Sequence, residues 1–502
     1  MKRSRRITAV VAATVAAPAL LGLASCDTRF GAPLARPEDP VVLQGSALPS
    51  LIGTAPSRVV AFAYDGSDWT QVPVQVDEKD LVNPATILNR ATPASLPNGG
   101  GEYKIPVYTQ PPAAAPGYTW TDVYTPTDSN PTLDADDEVS FLVNDSGKQA
   151  PAGANPSGVT TSTRKQVTLT DPDDATKAGY VYLYASTTLT GGGAGTSGVQ
   201  YTFSLDAGAY KATYGMGTGS RSPNNKRGPN PEHSTIVTPT YTQTYNDRWA
   251  NDGLTIKSGS SSRADLLDRS PYIVPNLACG RTEDTYDDVV MSSPYSGAFV
   301  ANISGPVRAI RSHMGANSFT YLVTTDVFYP QREDTVIELR GHAGLPAFAT
   351  YDDITTNLAG MRYDDPANVG LSIDGAADSF TPVVKSGDLS SMPDAWSMVS
   401  GPAGSLVTTR ALDTDIADVR ATSYYLDAAG TRICTGDASS WGVNGVNLTR
   451  AAGAFPNTDP TLGAANSFTS TRWRYFKAPG LGRSSAAKLA VQAQDPLLVS
   501  VS

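Results

Sequence analysis

Short runs of β-forming residues, each closed by glycine, proline, asparagine or aspartate, recur from Val41 to the C-terminus, and helical periodicity is nearly missing. Val59-Val60-Ala61-Phe62-Ala63-Tyr64, the turn Asp65-Gly66-Ser67 and the alternating Trp69–Asp77 read as a β-hairpin. Val139–Val143, Gln166–Thr170 and Gly179–Thr188 repeat the pattern. It is densest over 297–345, where Val307–His313, Thr320–Tyr329 and Thr335–His342 follow one another. Arg263–Asp268 and Ser485–Gln494 are the only short helix candidates. Forty-five glycines and 37 prolines among 502 residues, without a period, exclude collagen and coiled coil. The expectation is an all-β chain: an antiparallel sandwich with a smaller N-terminal β domain and very little helix.

The domain plan follows from the breaks. Residues 1–25 read as a signal peptide, 26–40 as a proline-rich tether, 41–150 as a small β domain, and 160–502 as a large β-sandwich domain. The stretch 150–163 reads as the linker between the two β domains.

The N-terminus has the layout of an export signal. Lys2, Arg3, Arg5 and Arg6 precede an apolar stretch from Ile7 to Leu21, too short to span a bilayer comfortably. It ends Leu23-Ala24-Ser25-Cys26, which resembles the bacterial lipobox. That resemblance implies cleavage before Cys26, acylation of that cysteine and an extracytoplasmic, membrane-anchored lipoprotein held by lipid alone. The alternative is an ordinary signal peptide with a cysteine by chance. Ser4-Arg5-Arg6 also fits twin-arginine export, so the route stays open. Of the three cysteines, Cys279 and Cys434 remain after lipidation, and outside the cytoplasm an even remainder suggests a disulfide.

Charge narrows the partners. Without residues 1–25 the chain keeps 34 basic against 48 acidic side chains, a net charge of −14 with no basic stripe, which argues against nucleic acid. There is no GxSxG, HExxH, Walker loop, strand-bound GxGxxG or SxxK set, so nucleotide enzymes and familiar serine hydrolases are not expected.

Three groups of residues carry candidate chemistry. In the acidic loop 128–138, hard oxygens recur at Asp128, Asn130 and Asp134, and Asp137 closes the loop. This resembles a degenerate calcium loop and suggests a structural calcium ion, although Pro131 stands where such loops usually have glycine. A solvated acidic turn is the competing reading. Next, the period of two places Glu338, Arg340 and His342 on one strand face, and Arg311 and His313 on one face of another. Glu338, His342 and His313 are the candidate acid/base groups, with Arg340 and Arg311 to orient an acidic or hydroxylated substrate. Trp249, set among hydrogen-bonding neighbours, is the candidate sugar platform. The polar clusters Arg281–Asp288 and Tyr351-Asp352-Asp353 are further carboxylate sources.

Gly305-Pro306-Val307-Arg308-Ala309, leading into long paired strands, and Gly401-Pro402-Ala403-Gly404-Ser405-Leu406-Val407 resemble the galactose-mutarotase-like supersandwich. That fold occurs in carbohydrate lyases, hydrolases and epimerases, so the resemblance implies an extracellular glycan as partner and a glycan hydrolase or lyase as the activity class. The alternative is a non-catalytic surface lipoprotein for adhesion or envelope assembly.

Overall fold

The computed structural model describes residues 28–82, 104–109, 128–204, 232–246, 250–257, 264–270, 272–273, 297–315, 322–340, 347–356, 358–431, 440–456 and 467–502. Among them every pairing between named strands is antiparallel, and Arg483–Gln494 is the one α-helix. The all-β expectation is met.

The N-terminal part is a two-sheet sandwich. Pro40–Gln44, Glu138–Leu142 and Gln75–Asp77 form a three-stranded sheet. A five-stranded sheet runs Leu498–Val501, Thr160–Asp171, Asp174–Ala185, Val59–Tyr64, Trp69–Val72. Alternation explains the packing. Val59, Ala61 and Ala63 point inward with Val139, Phe141, Val167, Leu169, Val181 and Leu183. Val60 and Phe62, one residue out of step, meet Tyr182 and Tyr184 on the opposite face, with Trp69 edge-on at 4.9 Å to Tyr182. Each such fully buried aliphatic or aromatic side chain contributes roughly 1.5–3 kcal/mol.

This sheet joins what the sequence reading divided. Thr160–Asp171 and Asp174–Ala185 pair among themselves, Asp174–Ala185 pairs with Val59–Tyr64, and the C-terminal strand closes the edge. Hydrogen bonding between strands far apart in sequence leaves no signature in local composition, so the polar text at 150–163 resembled a domain linker.

The large part is built on a nine-stranded sheet in the order Gly297–Ser304, Ala309–Gly315, Leu322–Phe328, Arg332–Arg340, Ser467–Lys477, Gly404–Thr414, Trp396–Gly401, Arg362–Asp364, Leu371–Ser372. Two sheets cover its inner face. Ile236, Tyr241, Leu254 and Ile256 of a four-stranded sheet meet Ala309, Phe328, Leu406 and Phe476. Phe348, Val419, Ala421 and Leu448 of a six-stranded sheet meet Leu322, Ile337, Leu339 and Leu412. The outer face is covered by the helix, whose Ala486, Leu489, Ala490 and Ala493 recur at helical spacing and pack on Met398, Val407 and Tyr475. Beyond the helix, Val307, Ile310, Val327 and Tyr329 meet Leu142 of the N-terminal sandwich.

The Ser485–Gln494 candidate is thus a helix, starting two residues earlier. The other candidate is not: residues 264–266 are irregular and Leu267–Arg269 is a strand, bound to Phe348–Ile354. Gly305 of the Gly-Pro turn lies where Cα meets the side chain of Gln75; a Cβ there would sit 2.1 Å from its Oε1. That oxygen accepts the Val307 and Arg308 N–H groups, so a larger residue at 305 would push the Gln75 amide off both donors. No helix among the described residues is long and apolar enough to cross a membrane.

Candidate functional site

The inner face of the nine-stranded sheet is not apolar throughout. Register places Arg311 opposite Asp326, Asp326 opposite Thr335, Thr335 opposite Arg472, and Arg472 opposite Arg410, a polar row across five strands. The next row adds Glu333 and Arg474. These groups are buried, so each charge needs a partner.

Arg311 makes the densest set. Its Nε and Nη2 donate to Glu232 at 3.0 and 2.6 Å, and Nη1 donates to Asp326 Oδ2 at 3.0 Å. Nη1 also lies 3.3 Å from His313 Nδ1, and the guanidinium sits 4.2 Å from the Tyr245 ring centre. Because a guanidinium can only donate, His313 Nδ1 accepts and its proton is on Nε2. Burial and the Arg311 charge hold the His313 pKa well below the ordinary imidazole value, so the ring is neutral. Burial raises the Asp326 carboxyl against the pull of Arg311.

Beside it, Arg474 grips Glu333 through Nε and Nη2 and reaches Asn251 Oδ1 at 3.1 Å. Arg472 Nη1 donates to Ser270 Oγ at 2.9 Å, and that hydroxyl donates to Asp352 Oδ1 at 2.7 Å. Thr335 Oγ1 contacts Asp326, Glu333 and Arg472 at 2.9–3.2 Å. Burial works against the Glu333 carboxylate, but Arg474 and Arg472 outweigh it and hold its pKa below the usual range. A narrow cleft, with room for about one water molecule, opens among Asn251, Ser270, Arg311, His313, Asp326 and Arg472, beside Tyr245. Its polar walls suit hydroxyl or carboxylate groups.

Of the expected site residues, the structure brings Arg311 and His313 together. It does not bring Glu338 to them. His313 pairs with Thr324 and Thr324 with Ile337, so the inward positions are Ile337 and Leu339, and Glu338 stands half-buried on the other side of the sheet. The polar-face assumption failed because both faces of this sheet are covered. Position 340 ends the strand, and its side chain is outside the described set. His342, Trp249, Cys26, Cys279, Cys434 and the cluster Arg281–Asp288 lie outside the described residues. His233 is exposed, with Nδ1 3.1 Å from Asn246 Oδ1. Asp352 is in the strand Phe348–Ile354, facing the arginines. Sequence reasoning missed Glu232, Glu333, Arg472 and Arg474; the spacing Arg472-Trp473-Arg474-Tyr475 was the available signal.

In the acidic loop, Asn130 Nδ2 donates to Asp134 at 3.1 Å and Asn130 Oδ1 accepts from Thr132, so these two side chains serve the loop itself. Asp137 is fully buried and accepts the Lys79 and Asp134 N–H groups at 2.9 and 2.8 Å. Carboxylate oxygens of Glu78, Asp128 and Asp137 lie within 4.8 Å of one another. Glu78 Oε1 and Asp128 Oδ2 are buried without a hydrogen-bond partner. Burial and the neighbouring aspartates push the Glu78 pKa up to about 8. A hard cation suits such a donor set. Glu78 was not in the expected set, because it lies between the strands Gln75–Asp77 and Lys79–Val82, fifty residues upstream of the loop.

No family model and no curated protein matches the chain. Among solved structures it is similar to an alpha-mannosidase from Enterococcus faecalis V583 at 9% identity and a TM-score of 0.36, covering 92% of this chain and 44% of that one. A glycosyl hydrolase family 38 protein from Enterococcus faecalis gives 7% identity and a TM-score of 0.32, covering 92% and 45%. A family GH92 alpha-mannosidase from Bacteroides thetaiotaomicron gives 8% and 0.22, covering 49% and 30%. The chain spans less than half the length of each.

Proposed function

We propose that this chain is a lipid-anchored protein of the cell envelope that binds or acts on extracellular polysaccharide, with the polar hollow of the large sandwich as its site. The observation that carries the reading is the meeting of Arg311, His313, Asp326 and Arg472 around one cavity. In this reading Arg311 and Arg472 orient hydroxyl or carboxylate groups of the sugar. Neutral His313 offers its Nε2 proton to an oxygen on which charge develops. Asp326, its pKa raised by burial, is the group placed to exchange a proton. Acylation of Cys26 supplies the anchor, and the disulfide Cys279–Cys434 belongs to the same oxidising compartment. Glu78, Asp128 and Asp137 hold a structural calcium ion, supported by their mutual approach and unpartnered oxygens.

The test uses Cys26→Ser protein, expected to move from the membrane to the soluble fraction, incubated with a panel of extracellular polysaccharides. The expected result is saturable binding or release of new chain ends with one of them, weakened at least tenfold in His313→Ala. Neither binding nor turnover across the panel overturns the reading.

A second reading has an observation in its favour. Glu232, Glu333, Asp326 and Asp352 each already face an arginine within 4 Å. On that reading the row braces a non-catalytic surface lipoprotein, and His313→Ala lowers stability with no activity to lose.

A further inference from the structure

The chain passes from the nine-stranded sheet to the six-stranded one through the turn 415–418, between Gly404–Thr414 and Val419–Leu426. The backbone of this turn is tied down. The Ile416 N–H donates to Thr414 Oγ1 at 3.1 Å, the Ala417 carbonyl accepts from Arg450 Nε at 3.2 Å, and the Asp418 carbonyl accepts the Ala451 N–H at 3.1 Å. Asp418 has a φ of +63°, alone among the described non-glycine residues in the left-handed region. The charged side chains take no part in this bonding. Among the described residues, the Asp418 carboxylate, the Arg420 guanidinium and the Ser386 hydroxyl have no hydrogen bond and no ion pair.

All three residues line one cleft of about 360 Å³, bounded by Ser386-Gly387, the turn and Ala451. Val419 and Ala421 point into the core between the sheets, so Arg420 points out of it, and its register partner Ser386 shares that face. The cleft has the size of a small-ligand site, whereas the polar hollow admits about one water molecule and shares no lining residue with it. One cation and one anion stand in the wall, so no net charge is left to select an ionic ligand.

We infer that this cleft holds a neutral saccharide unit. A sugar hydroxyl both donates and accepts, and so matches a wall that offers a carboxylate acceptor, a guanidinium donor and a hydroxyl that does both. Asp418 accepts from the sugar hydroxyls, and Arg420 donates to their oxygens. The methyl groups of Ala417 and Ala451, both exposed, meet the C–H face of the ring. A turn fixed beforehand lowers the ordering cost that a loop site carries on binding. The inference rests on the glycan reading for the polymer it binds, not on the polar hollow as the place.

The experiment titrates the full chain by isothermal calorimetry with four neutral polymers (β-glucan, mannan, galactan and arabinan) and with polygalacturonate as the acidic one. Saturable binding of at least one neutral polymer is expected, with polygalacturonate weaker. Asp418→Gly deletes the carboxylate and keeps the left-handed turn without strain, and Arg420→Gln removes the positive charge. Each is expected to weaken the neutral polymer at least tenfold with the Tm of the free protein not lowered. Binding that survives either variant undiminished, or a preference for polygalacturonate, overturns the inference and leaves the glycan reading standing. No binding by any of the five polymers overturns both.

Discussion

Arg308 donates from Nε and Nη2 to Asp77 Oδ2 at 2.8 and 2.7 Å across 231 positions of sequence, and its Nη2 reaches Glu138 at 2.7 Å. All three side chains are buried, and the contact ties the nine-stranded sheet to the edge of the N-terminal sandwich. Removing one partner of a buried ion pair leaves the other charge without compensation, which costs about 3–5 kcal/mol. Asp77→Ala is expected to lose that much in urea unfolding. The paired change Asp77→Leu with Arg308→Met is expected to lose clearly less, because the one buried charge left over, Glu138, still pairs with Lys79 at 2.9 Å.

Asp39 gives a pH dependence of known sign. Burial raises its carboxyl from 3.8 to about 6, against the pull of Arg332 at 3.4 Å. Between about pH 4 and 6 the folded chain therefore keeps a proton that the unfolded chain has lost. Stability from this group is greatest below pH 4 and falls as pH rises to 6, by about 3 kcal/mol for a shift of this size. Asp39→Asn, which cannot ionise, is expected to flatten that part of a plot of unfolding free energy against pH.

The fold was legible because the period of two survives in single strands. Val59–Tyr64 is where its run of β-formers put it, and Glu138–Leu142 and Ala309–Gly315 lie within two residues of the expected Val139–Val143 and Val307–His313. The site was legible only in part, for a specific reason. In Arg332–Arg340 the buried face reads Glu333, Thr335, Ile337, Leu339, so it is polar at one end and apolar at the other. Judged on residues 335–342 alone, the face of Glu338 looked like the polar one. In Ser467–Lys477, Arg472 and Arg474 occupy the inner positions while Trp473 and Tyr475 take the outer, because the helix Arg483–Gln494 covers that outer face. Which of two candidate faces meets the other sheet is decided by long-range packing, and local alternation is symmetric with respect to it.

The carboxylates Glu78, Asp128 and Asp137 predict a response to calcium. Three acids within 4.8 Å repel one another, and a divalent ion among them replaces that repulsion by attraction. Millimolar calcium at pH 8 is expected to raise the Tm, EDTA to lower it, and Glu78→Gln with Asp128→Asn to remove the response. Magnesium, which demands a tighter octahedral shell, is expected to do less. A Tm unmoved by calcium in the unsubstituted chain would discard the calcium assignment.

Asp326 separates the two functional readings. Its Oδ2 accepts from Arg311 and its Oδ1 from Thr335, so Asp326→Asn keeps the shape and removes the charge. Thr335→Val removes only the hydroxyl between Asp326 and Arg472 and leaves buried groups short of a partner, at about 1–3 kcal/mol. If the hollow transfers protons, Asp326→Asn is expected to cut polysaccharide turnover by about 10²–10⁴-fold. Thr335→Val, matched to it in stability loss, is then expected to cost far less activity. If the row only braces the sandwich, the two variants fall together in every measurement, in proportion to their unfolding free energies. Turnover on a responsive polysaccharide, plotted against urea-derived stability for both variants, distinguishes the cases.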